Sequence, residues 1–89
     1  MNEQRLSISF SGEASEAFSA WVSQRNDWYV RITPQEGKPF DAVLIGSGIE
    51  NDQSEWYDSV RYLDADEISG LPIEGATPKI VRVKDVYVY

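Results

Sequence analysis

Polar and apolar residues alternate at the start of the chain: Leu6, Ile8 and Phe10 interleave with Ser7, Ser9 and Ser11. A period of two marks a half-buried strand over about residues 5–10. The period then lengthens. Ala14, Ala17, Phe18, Trp21 and Val22 recur at steps of three and four, which gives one apolar face of a helix. Ser11 or Gly12 is placed to cap its start, Glu13 and Glu16 suit its first turn, and Asn26-Asp27 stops it. The helix is expected at about 12–25.

Strand periodicity returns at Trp28. Trp28, Val30 and Ile32 share one face of a strand at about 28–33. Pro34 to Pro39 encloses Glu36-Gly37-Lys38, a turn by composition. The next strand, about 40–45, is almost continuously apolar and reads as central, with only Asp41 clearly outward. Residues 28–45 therefore form a hairpin. Gly46-Ser47-Gly48 ends its second strand. A further strand is expected at about 56–63, then a turn through Asp64 to Gly70. Residues 71–78, with two prolines and Gly75, are irregular, and a last strand covers about 80–89.

That last strand breaks its own rule. Val81 and Val83 have one parity, Val86 and Val88 the other. A regular strand does not change parity. A bulge or tight helical turn at Lys84-Asp85 restores a common inward face. The pattern gives an α+β, mostly β, domain with a single helix and a strongly bent antiparallel sheet. An open sheet and a small β-barrel both satisfy it. Phe10, Phe18, Trp21, Trp28 and Phe40 head the expected core.

Helix, bent sheet, and a strand–tight turn–short strand ending together resemble the Sm-like small β-barrels. Trp28–Thr33, Lys38–Ile45, Trp56–Leu63 and Ile80–Tyr89 carry the resemblance, over about residues 12–89, with Leu6–Phe10 as an extra strand. It is a likeness of periods, and it implies the fold alone. The family's RNA-binding role is not implied. The corresponding turns are Gly46-Ser47-Gly48 and the acidic Asp64-Ala65-Asp66-Glu67.

Composition narrows the chemistry. At 89 residues the chain forms one small domain that buries roughly 60–65% of its unfolded surface. That leaves no room for an enclosed cofactor. Cysteine and histidine are both absent. This removes disulfides, thiolate nucleophiles, zinc–thiolate sites and the usual general base near neutral pH. Lack of disulfides in so small a domain leans towards the cytoplasm, and no signal peptide or bilayer-spanning run is visible. A net charge of −7 opposes nucleic acid and anionic membranes.

The charge is regional. Residues 50–67 hold seven acids against Arg61, a balance of −6, while residues 1–49 hold six acids and four bases and residues 68–89 two and three. Trp56 and Tyr57 sit within that stretch. Trp56, Tyr57, Asp58, Asp64, Asp66 and Glu67 are therefore the candidate interaction face. The acids are expected exposed and together; the plain alternative is a solvated hairpin.

Other constellations fail on spacing. Asp64-Ala65-Asp66-Glu67 lacks the further ligands of a calcium loop, since Ile68, Ser69 and Gly75 occupy those places. Gly46-Ser47-Gly48 lacks the third glycine and the lysine of a phosphate cradle, and Glu50 and Asp52 follow it. Asp58 with Asp64, or Glu36 with Asp41, are carboxylate pairs that folding brings together by chance among fifteen acids. No catalytic residue, cofactor or metal ligand is assigned.

The expected function is a small non-catalytic protein-interaction module. Its partner is a basic protein, or a second copy docked along an exposed edge such as Ile80–Tyr89. An acidic inhibitor imitating a nucleic-acid backbone is the first alternative, and a small carboxylate enzyme the second.

Overall fold

The computed structural model describes residues 7–9, 16–49 and 56–89. Strand β1 spans Ser7–Ser9 and helix α1 Glu16–Ser23. Strands β2 (Tyr29–Pro34), β3 (Phe40–Ser47), β4 (Ser59–Asp64) and β5 (Lys79–Val88) follow. The expected Phe10 core position, the start of the helix and the acids Glu50, Asp52 and Glu55 lie outside the described residues. Among the described residues no helix is long and apolar enough to cross a membrane.

All pairings are antiparallel, in the order β5-β2-β3-β4, and β4 pairs β5 again. The four strands thus close into a small barrel. β5 makes this possible by serving neighbours on both sides. Along one edge it pairs β2. Along the other it pairs β4 through residues 79–82 and then β1 through residues 85–87. Ile80–Tyr89 is therefore not the free edge expected for self-association.

The parity break in β5 is a bulge. Pro34 faces Val83 and Thr33 faces Asp85, so Lys84 is the extra residue. Pro34 has no N–H to give a ladder, and a register shift is where a sheet tolerates it. With Lys84 absorbed, Val83, Val86 and Val88 are all buried, and Val81 packs against them. Ile45 is a second extra residue, between Leu44 facing Tyr62 and Gly46 facing Arg61. Its carbonyl accepts from Asn26 Nδ2 at 2.8 Å.

The core lies inside the ring: Val30, Ile32, Ala42, Leu44, Val60, Val83, Val86 and Val88. α1 packs on β3 and β4, adding buried Phe18 and Val22 with Trp21 half-buried beside them. It ends as Asn26-Asp27 predicts. Arg25 N–H donates to Val22 O, a tightened last turn, and Asp27 takes a left-handed φ of 74°. Trp28 does not join the core. It stands in the turn before β2, is 36% exposed and lies 5.2 Å from the Arg25 guanidinium. The period of two begins one residue later than the sequence pattern implied, because Trp28 pairs with Arg25 O and Leu44 N to redirect the chain.

β4 also starts later than expected. Ser59 Oγ donates to Trp56 O at 2.6 Å and Ser59 N–H to the same oxygen at 3.1 Å. That turn keeps residues 56–58 out of the ladder. Its neighbour Gly48 lies so close that a Cβ there would sit 2.2 Å from Ser59 Oγ, which explains the glycine by close approach rather than by flexibility or phosphate binding.

Candidate interaction surface

Alternation along β2 turns Val30 and Ile32 inward and leaves Tyr29 and Arg31 outside. Register then sets Arg31 between Asp41 of β3 and Tyr87 of β5. Asp41 is the hub of this outer wall. Its carboxylate accepts from Arg31 Nε at 2.9 Å, Tyr89 Oη at 2.6 Å and Tyr29 Oη at 3.3 Å. Tyr29 and Tyr89 stack with centroids 5.4 Å apart, and Tyr87 meets Tyr89 edge-on at the same distance.

These contacts fix the ionisation states. The Arg31 hydrogen bond above all, with those from the two tyrosines, holds the Asp41 carboxyl below its usual value against the effect of burial. Burial, then Asp41, pushes Tyr89 up to about 12. Burial, Asp41 and the nearby Glu67 also raise Tyr29.

Beside the hub lies a concavity of about 540 Å³. Its rings are Tyr29, Phe40 and Tyr62, its acids Asp41, Asp64 and Glu67, and its base Arg31. Phe40 and Tyr62 pack against each other at 5.1 Å and close the adjoining end of the core. Asp64 also pairs with Lys79 at 2.7 Å. Burial raises Tyr62 as well.

The expected face of six residues is divided between the two ends of β4. Asp64, Asp66 and Glu67 belong to the concavity end. Asp66 and Glu67 are exposed. Asp66 Oδ1 accepts from Ile68 N–H at 2.8 Å and Ser69 N–H at 3.0 Å, and these bonds hold its carboxyl below the usual range. Trp56, Tyr57 and Asp58 lie at the other end, about 20 Å of strand away.

Asp58 is not an exposed acid. It is 6% exposed and grips Arg82 through two bonds of 2.9 Å, one from Nε and one from Nη2. Gln35 Nε2 donates both to Asp58 at 3.2 Å and to Val83 O at 3.0 Å. Asp58 O accepts from Val83 N–H at 2.9 Å. The Arg82 guanidinium lies 4.0 Å over the Trp56 ring. This cluster fastens β4 to β5, where the barrel closes, so its carboxylate serves the fold.

Sequence reasoning did not single out Asp41, Arg31, Tyr29 or Tyr89 as a group. A signal was present. A hairpin centred on Glu36 places Arg31 opposite Asp41, the pairing observed. Among the described residues no group of three or more acids converges on a metal position.

No family model, curated protein or solved structure matches the chain. Its likeness to small β-barrels is one of architecture, a closed four-stranded antiparallel barrel with one short helix.

Proposed function

We propose that the chain is a small acidic, non-catalytic protein-interaction module that docks a basic partner on the outer wall around Asp41. The observation that carries this reading is the convergence of three rings and three acids, with one base, on a single concavity. Aromatic faces and carboxylates together attract Lys and Arg side chains, and rigid aromatics anchor interfaces at low entropic cost.

The protonation states support the non-catalytic part. A carboxyl general acid needs a raised pKa, whereas Asp41 is lowered by the Arg31 and tyrosine hydrogen bonds, and the raised tyrosines beside it are held protonated. The acidic inhibitor is the weaker reading. A nucleic-acid mimic needs a row of unneutralised charges, whereas Asp41, Asp58 and Asp64 each face a base of the chain itself, which leaves exposed Glu67 as the main attraction of the concavity for a single docked cation. Absence of cysteine suits a cytoplasmic setting.

Titration of the isotope-labelled chain with an Arg-containing peptide tests the reading. Shifts should centre on Tyr29, Tyr62 and Glu67, and affinity should fall steeply with salt. Absence of binding at low salt, or shifts confined to Trp56 and Tyr57, would overturn it.

A further inference from the structure

The segment between Asp64 and Pro78 carries Asp64, Asp66, Glu67 and Glu74 and no Lys or Arg. It also holds three aliphatic side chains out in water: Ile68 is 96% exposed, Leu71 64% and Ile73 48%. Backbone bonds fix them there. Asp66 N–H donates to Leu71 O at 2.8 Å, Gly70 N–H to Asp66 O at 2.8 Å, and Ile73 N–H to Asp64 O at 2.9 Å. Pro72 bridges to Ala65. A Cβ on Gly70 would lie 3.8 Å from the Tyr29 ring, so the loop rests against the tyrosine wall. Single exposed apolar residues are ordinary, but Ile68 and Ile73 line one hollow together, an apolar patch suited to a partner.

A second concavity of about 490 Å³ is lined by Ala65, Asp66, Glu67, Ile68 and Ile73. It shares Ala65 and Glu67 with the first. The two adjoin at those residues as a trough in two parts, with rings and acids in one and aliphatics and acids in the other. Lys79 and Arg31 are the bases beside it, each already paired to an acid.

We infer that this trough docks a segment of a partner protein in which a Lys or Arg lies close to aliphatic side chains. The base enters among Tyr62, Asp64 and Glu67, and the aliphatic residues cover Ile68 and Ile73. Charge complementarity selects this occupant. A second copy would set four acids against four acids with no base in either segment, and nucleic acid would set phosphates there. The inference rests on the basic-partner reading and adds the apolar half.

Calorimetric titration of the full chain with three synthetic peptides of equal length tests it. One contains Arg and Leu, one Arg and Ser, one Leu and Ser. The Arg–Leu peptide should bind at least about tenfold tighter than the Arg–Ser peptide, the return expected from burying one aliphatic side chain. An Ile68→Ser, Ile73→Ser double variant should erase that difference while keeping the affinity for Arg–Ser. Its melting temperature should move little, because Ile68 is almost wholly in water and Ile73 about half. Equal binding of the two Arg peptides would overturn the inference and leave the basic-partner reading standing. Binding of neither would overturn both. Leu–Ser binding as tight as Arg–Leu would overturn the inference, as would a dimer in sedimentation that the double variant dissociates.

Discussion

Asp41 ties the outer wall together, because one partly buried carboxylate accepts from an arginine and two tyrosines. The arrangement has a signature at high pH. Tyr89 ionises at an ordinary value of 10.0 in the unfolded chain and at about 12 in the folded one. The folded state therefore keeps a proton that the unfolded state releases. Stability from this contact is complete below pH 10 and is lost as pH rises towards about 12. Urea midpoints measured between pH 8 and 11.5 should fall above pH 10, and Tyr89→Phe should flatten part of that fall. Tyr29, Tyr62 and Lys79, raised in the same direction, contribute to what remains. An identical alkaline slope in the variant would show that Tyr89 does not hold its proton. The outward sides of Tyr29, Arg31 and Asp41 were legible from strand period. Their convergence required the hairpin centre, and the place of Tyr89 required β5 to pair with β2, which brings Tyr89 to Asp41 across 48 residues of chain. Local patterns do not encode that.

Strand elements were legible where their periods were clean. The change of parity within Ile80–Tyr89 marked a break at Lys84-Asp85, a bulge or a tight helical turn; the register of β5 against β2 makes it a bulge with Lys84 as the extra residue. The β4 boundary was not legible. Trp56 and Tyr57 look like strand residues, and the turn made by the Ser59 hydroxyl and N–H on Trp56 O excludes them. Deleting Lys84 isolates what the bulge contributes. Val83, Asp85 and Val86 would then alternate regularly, so every core residue keeps its inward face. What disappears is the bend at the point where β5 passes from β4 to β1 along one edge. Bulges supply the local twist that closure of a small sheet demands. The deletion should cost about 2 kcal/mol or more, while Lys84→Ala, at an exposed position, should stay within about 0.5 kcal/mol. Hydrogen exchange should show the Val83 amide, bonded to Asp58 O, losing protection first. Wild-type protection at Val83 in the deletion variant would mean that closure does not depend on the bulge.

At the scale of the whole molecule, the sequence showed that acid is concentrated in residues 50–67 but not which way it faces. A strand of six residues carries its two ends far apart, and the two ends of β4 have different duties. At one end Asp58 is nearly buried and clamps Arg82. At the other, Glu67 and, across the loop, Glu74 stand in water. Charge reversal separates these duties. Glu67→Lys with Glu74→Lys should leave stability within about 0.5 kcal/mol, because exposed charges contribute little. The same pair should weaken Arg-peptide binding at least about tenfold and flatten its salt dependence, since the attraction is carried by charges within a Debye length of the trough. Asp66 is a poor choice for reversal, because its carboxylate holds the loop backbone. Asp58→Lys should instead abolish cooperative folding, as it sets two cations together where the barrel closes and leaves Gln35 without its carboxylate. Denaturant titration and calorimetry on the two variants decide between the ends. If Asp58→Lys folds normally and loses the peptide while the Glu67 and Glu74 reversals bind like wild type, the interface lies at the Trp56 end of β4, and the wall around Asp41 is only a stabilising surface.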